Sequence, residues 1–214
     1  MKLIHRLVLE NDPCILKIKS SCNMWIEKML QSGLTYTKPG SISYLLYGEK
    51  PSQQSIHIKL GKLGEFISKE LIKYNPNLEL LTCGPQMIND KKKDVDLIFK
   101  NEKNRMIYYR ELKGNIELDT EKIPATIQKC KEIELMLKNK YSDYQINSAI
   151  LNWSIYDKDI FSSGVSNIKS FELEGLKIEH MKDYLKTVNI VWNEEDYYLY
   201  FREIGIKVQT LFIE

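Results

Sequence analysis

Apolar side chains recur every three or four residues in some stretches of the chain and alternate with polar ones in others, so the pattern predicts helices and strands packed in layers. The clearest helix is residues 55–74, where Ile56, Leu60, Leu63, Ile67, Leu71 and Tyr74 share a face and Asn75-Pro76-Asn77 ends the run. A second begins after Asp119-Thr120 and extends to about Lys140, with Ile123, Ile127, Cys130, Ile133 and Leu137 on one side and Pro124 tolerated in the first turn. Between them, residues 78–83 read as a strand turned by Gly84-Pro85, and residues 93–99 and 106–113 as a hairpin joined by the polar segment 100–105. Residues 147–155 are another apolar strand, and a strand-helix-strand succession predicts a right-handed parallel connection. Nearer the start, residues 3–9 form a short strand or helix. A helix over 21–31, with Trp25, Met29 and Leu30 as its apolar side, stops at Ser32-Gly33. Residues 176–187 and 194–209 read as helices, and Tyr197, Tyr198, Tyr200 and Phe201 of the latter read as core or subunit contact.

A chain of 214 residues with 43% hydrophobic side chains is enough for one domain with a substantial core, and a single unit over 1–214 is expected. The net charge of +2 neither marks nor excludes a nucleic-acid binder. Cys14, Cys22, Cys83 and Cys130 lack the paired spacing of a zinc site and read as reduced, buried thiols, and three histidines add no ligand cluster. No segment has the length and apolarity of a membrane span, and His5 and Arg6 interrupt the N-terminal run, so a cytoplasmic protein with no membrane partner is expected.

The candidate chemistry lies in the hairpin. Side chains two apart on a strand share a face, which pairs Glu111 with Lys113 on one strand and Asp94 with Asp96 on the other. Carboxylates set in so apolar a sheet are costly unless paired or bound to a cation, and oxygen-only ligands suit a hard ion such as Mg²⁺. The triplet acid-x-Lys is weak by itself, since Asp90-Lys91-Lys92 matches it in a polar run; the flanking strands, the Gly114-Asn115 that follows, and the helix beyond, read as Thr-capped, give the match at Glu111 its weight.

With Asp96-Leu97-Ile98-Phe99 on one strand and Glu111-Leu112-Lys113-Gly114-Asn115 on the next, the chain resembles the PD-(D/E)xK nucleases, in particular small type II restriction endonucleases. The resemblance implies an α/β core over about 55–156, a mixed central sheet flanked by helices, with loop and helical additions at 1–54 and 157–214 for DNA recognition and dimerisation. It implies that Asp96 and Glu111 hold Mg²⁺, assisted by the Leu112 carbonyl, that Lys113 orients the attacking water, and that Glu65 supplies a supporting acid from the helix over 55–74. Asp94 is the rival of Asp96, and Glu70 of Glu65; Glu65 also has the plainer reading of a helical ion pair with Lys62 or Lys69. Mn²⁺ is expected to substitute and Ca²⁺ to support binding only. The resemblance further implies products with 5′-phosphate and 3′-hydroxyl ends, and as partners duplex DNA, a second copy of the chain, and a cognate DNA methyltransferase. A repair or junction-resolving nuclease of the same fold and a non-catalytic DNA-binding protein are the alternatives.

Two polar segments read as DNA contacts or as ordinary surface loops. The first, 33–54, offers Tyr36, Lys38, Tyr47 and Lys50; the second, 156–170, offers Lys158, Ser162, Ser163 and Asn167.

Overall fold

The computed structural model describes residues 10–32, 34–114, 122–157, 172–173 and 175–213, the last three of these and 172–173 by their backbone alone. The expected element over 3–9, the Thr120 cap and the 158–170 part of the second polar segment lie outside the described residues. Contacts divide the chain into two compact units, Met1–Leu63 with Val191–Glu214 and Gly64–Ile190. No helix among the described residues is long and apolar enough to cross a membrane.

In the unit Met1–Leu63 with Val191–Glu214, α1 (Cys14–Gln31) starts well before the expected position, directly after Pro13. It buries Ile15, Ile18, Cys22, Ile26 and Met29, whereas Trp25 and Leu30 lie half-buried at the edge of that stripe. The segment read as loop-rich contains a short helix, α2 (Ile42–Tyr47), capped by the Ser41 hydroxyl. The first part of α3 (Gln53–Lys73) follows. The final helix, α6 (Glu194–Ile213), packs Tyr197, Tyr200 and Ile204 into this core beside Trp192.

The unit Gly64–Ile190 is built on a six-stranded mixed sheet in the order β1-β4-β5-β6-β8-β7. β1 (Leu78–Leu80) pairs antiparallel with β4 (Leu97–Asn101), and β4 pairs antiparallel with β5 (Met106–Lys113). β5, β6 (Gln145–Asn152) and β8 (Leu176–His180) are parallel, and the two-residue β7 (Glu172–Leu173) closes the edge. The connection between β5 and β6 is α4 (Ile123–Lys140), as periodicity predicts; its first residues are preceded by Lys122, which makes no side-chain cap. Ile127, Cys130, Ile133 and Leu137 of α4 meet Ile98, Ile107, Tyr109, Ile150 and Ile178 on one face of the sheet. The other face carries Phe99 stacked on Tyr108 at 4.8 Å, with Tyr184 of α5 (Met181–Val188) edge-on to Phe99. The Tyr184 hydroxyl donates to the Ser68 carbonyl of α3 at 2.7 Å. Arg110 is fully buried on that face, where Glu179 accepts from its Nε at 2.6 Å and from Nη2 at 3.0 Å, while the Asn147 carbonyl takes Nη1, so this internal charge is satisfied.

Three expectations fail for identifiable reasons. Residues 93–99 are not one strand: β3 (Lys91–Val95) pairs with β2 (Gly84–Ile88) in a separate two-stranded ribbon, and the chain leaves that ribbon at Asp96 to enter β4 in the main sheet. Gly84-Pro85 does not turn the chain but begins β2, with Gly84 in a left-handed conformation at φ +91°; the tight turn is Asn89-Asp90, both at positive φ, as a two-residue hairpin requires. Residues 176–187 are not one helix, because Leu176, Ile178 and His180 alternate inward as β8 before Met181, Tyr184, Leu185 and Val188 repeat with helical spacing in α5.

Candidate functional site

Glu111 and Lys113 stand at the end of β5 on the face covered by α4, and Asp96 arrives beside them from the break between β3 and β4. The β4–β5 ladder begins at Leu97 opposite Arg110, so the residue before Leu97 falls level with Glu111. Asp96 Oδ2 accepts the Leu112 N–H at 2.9 Å, a side-chain bond made where the β4 backbone has ended. Asp94 goes elsewhere: it is exposed, opposite Pro85 in the ribbon. The equal-parity reading of Asp94 and Asp96 is thereby corrected, since the two acids belong to different sheets.

Glu111 is 2% exposed and surrounded by donors. Its Oε2 accepts the Tyr109 hydroxyl at 2.8 Å and lies 2.6 Å from Lys129 Nζ, and its Oε1 is 3.4 Å from Lys113 Nζ. Lys129 Nζ is also 3.7 Å from Asp96 Oδ1, so this ammonium sits between the two carboxylates. Burial pushes the Asp96 carboxyl up to about 7, helped by the negative charge of Glu111 and, more weakly, Glu65, and opposed by Lys129 and the Leu112 N–H. Burial opposes the charge on Lys129, but Glu111 and Asp96 outweigh it and raise the ammonium above its ordinary value. Beneath them, burial and then Glu111 drive the Tyr109 hydroxyl well up and the Cys130 thiol to about 12, so both stay protonated and inert at neutral pH.

The end of β5 is held by Trp153. Its backbone N–H donates to the Lys113 carbonyl at 3.1 Å, and its ring lies against two glycines. A Cβ on Gly64 of α3 would fall 2.2 Å from Trp153 Cε2, and one on Gly114 would fall 3.2 Å from Cζ2. Gly64 therefore has no room for a side chain beside the ring, and at Gly114 a Cβ would require the indole to give by a few tenths of an ångström.

Glu65 does not join the carboxylate pair. It is bonded to Lys69 at 3.3 Å, the plainer of its two readings, and among the described residues no group of three His, Cys, Asp or Glu side chains is arranged to share an ion. Seven residues to either side of it, Ile58 is largely exposed and Ile72 is buried. Glu70 is buried and pairs with Lys73 on its own helix.

Of the expected DNA contacts, Tyr36, Lys38 and Tyr47 are exposed and Lys50 is half-buried, all in the unit Met1–Leu63 with Val191–Glu214. Tyr36 bridges to Pro51, and α2 presents Ile42, Leu45, Leu46 and Tyr47 outward, a more apolar surface than a phosphate-binding arm would carry. Lys158, Ser162, Ser163 and Asn167 lie outside the described residues.

Sequence reasoning missed Tyr109 and Lys129. Tyr109 was findable from parity, two residues before Glu111 on the same strand face. Lys129 was findable from the crossover: α4 leaves the end of β5 and returns along the sheet, so a residue six positions into the helix, about 9 Å along its axis, comes back near the level of Glu111, about 7 Å before the end of β5. Compared with protein-family models, curated proteins and solved structures, the chain matches none.

Proposed function

We propose that the protein is a Mg²⁺-dependent endonuclease of the PD-(D/E)xK type that cleaves duplex DNA at defined sequences, as a type II restriction enzyme does. The observation that carries this reading is the convergence of Asp96, from the break between β3 and β4, and Glu111, from the end of β5, at one end of a mixed sheet, with Lys113 Nζ 3.4 Å from Glu111. The donor set fits a hard divalent ion: two adjacent, mostly buried carboxylates whose repulsion contributes to raising Asp96 call for a positive charge, and both offer oxygen. Asp96 and Glu111 would hold the ion with the Leu112 carbonyl, while Glu65, outside that set, acts on it through charge alone. When bound, Mg²⁺ supplies Lewis-acid neutralisation of the charge that develops on the phosphate and the departing 3′ oxygen.

The remaining work falls to the chain. Lys113, with about a quarter of its side chain exposed, is long enough to hold a water at the mouth of the site and to favour its deprotonated form. Tyr109 and the Leu112 N–H fix the rotamers of Glu111 and Asp96, which keeps the oxygens aligned without reorganisation. A palindromic target is read most simply by a two-fold symmetric protein, so a homodimer on DNA, protected in its host by a methyltransferase of the same specificity, completes the proposal.

Digestion of one plasmid of known sequence with Mg²⁺ or Mn²⁺ tests it. Discrete fragments with common ends and 5′-phosphates are expected. Structure-dependent nicks would instead make the protein a repair or junction-resolving nuclease, and no cleavage with either ion would make it a non-catalytic binder. Glu111→Ala and Lys113→Ala should each reduce cleavage roughly a hundredfold or more, the scale of removing one positioned electrostatic group. Near-normal cutting by Lys113→Ala would overturn the assignment. Ca²⁺ is expected to support DNA binding without efficient cleavage.

A further inference from the structure

Lys129 has no role in the site just described, yet it makes the site's closest contact between opposite charges. Its ammonium lies 2.6 Å from Glu111 Oε2 and 3.7 Å from Asp96 Oδ1, and the side chain is 22% exposed, so it is not sealed in. Lys113 differs: among the described residues its Nζ pairs with Glu111 Oε1, at 3.4 Å, and not with Asp96. The two lysines thus take opposite oxygens of Glu111, and only Lys129 spans both acids. A divalent ion shared by Asp96 and Glu111 would need the region between them, and two like cations do not occupy one such space.

We propose that Lys129 is a resident counter-cation of the carboxylate pair, which an incoming divalent ion displaces toward the opening. The inference rests on the nuclease reading for the identity of the ion, but its content concerns the protein before any DNA is present. Without metal, the ammonium neutralises the carboxylates and preserves their geometry. With metal, its four-carbon stem lets it swing out while α4 stays packed through Ile127, Cys130 and Ile133. A site closed in this way has an apparent metal affinity lowered by the fraction of time the lysine is out. Metal binding is therefore weak by design, and it strengthens when the lysine is removed.

Mn²⁺ titration of the full-length protein, followed by electron paramagnetic resonance of the free ion, tests this without any cleavage. Lys129→Met should bind Mn²⁺ roughly tenfold tighter or more, as expected when the competing state is held most of the time. Lys113→Met should change affinity less, and Glu111→Gln should bind poorly. Lys129→Met with affinity equal to or weaker than the parent, and a native circular dichroism spectrum, would overturn the inference and leave the nuclease reading standing. If neither the parent nor Lys129→Met binds Mn²⁺, the nuclease reading fails and Lys129 is a structural ion pair. Should Lys129→Met not fold, reductive methylation of the parent followed by peptide mass spectrometry decides instead. Lys129 should be shielded without metal and react once Mn²⁺ or Ca²⁺ is saturating, whereas persistent shielding at saturation would refute displacement.

Discussion

Asp96 is the residue on which the site turns, and its position follows from a break in backbone pairing rather than from its own chemistry. A strand continued without interruption from Lys93 to Phe99 would leave Asp94 and Asp96 equivalent. Leaving the ribbon after Val95 and joining the main sheet at Leu97 frees Asp96 to reach the Leu112 N–H and strands Asp94 at the exposed ribbon. Asp96→Asn is therefore expected to abolish Mg²⁺-dependent cleavage and Asp94→Asn to leave most of it, measured as initial rates on one plasmid; the reverse result would transfer the metal role to the ribbon. At the same scale, Glu65 and Glu70 separate: Glu65 is the acid whose charge acts on Asp96, whereas Glu70 is taken up by Lys73. Glu65→Gln should then slow cleavage modestly at limiting Mg²⁺, and Glu70→Gln should not.

Among elements, α3 and α4 were legible because long amphipathic helices repeat their apolar residues over several turns, and the α4 stripe Ile127, Cys130, Ile133 and Leu137 is the one periodicity predicts. The ribbon and the β8–α5 junction were not. Short strands of polar residues such as Lys91-Lys92-Lys93-Asp94 carry no alternation to read, and a strand that becomes a helix at Met181 without a loop merges two periods into one pattern. Gly64 has no reason legible in the sequence, and one appears only when the end of β6 brings Trp153 against it. Gly64 shows how tertiary contact overrides propensity: alanine in a helix interior is ordinarily better than glycine by about 1 kcal/mol. Here the added methyl would have to displace an indole, and Gly64→Ala should destabilise by about 1–3 kcal/mol in urea unfolding, the usual range for overpacking. In a Trp153→Leu background the same change should become neutral or stabilising; equal destabilisation in both backgrounds would show that the ring is not the obstacle.

At the scale of the molecule, the two compact units could not be read from local pattern, because one of them joins the beginning of the chain to its end and the boundary falls inside the continuous periodicity of α3, with no linker to mark it. In that unit Asp196, in the first turn of α6, ties distant segments together. Its Oδ1 accepts Lys19 Nζ of α1 at 2.7 Å, and its Oδ2 accepts Trp192 Nε1 at 2.8 Å and Asn11 Nδ2 at 2.9 Å. Burial by itself would raise this carboxyl, but the hydrogen bonds from Lys19 and Trp192, the charge of Lys19 and the bond from Asn11 outweigh it and hold the group below its ordinary value of 3.8. A carboxylate depressed in the folded state binds its proton more weakly than in the unfolded chain, so its contribution is fully present above the unfolded value and disappears as pH falls through the folded one. The unit should accordingly lose stability as the medium is acidified below about pH 4, beyond what Asp196→Asn loses over the same range, since the amide has no proton to gain. Urea unfolding followed by Trp fluorescence in a Trp153→Phe background confines the tryptophan signal to Trp25 and Trp192, both in this unit. Parallel acid profiles for the parent and Asp196→Asn would mean that the Lys19–Asp196 pair contributes nothing to holding α1 and α6 together, and that the aromatic core around Trp192 and Tyr197 suffices.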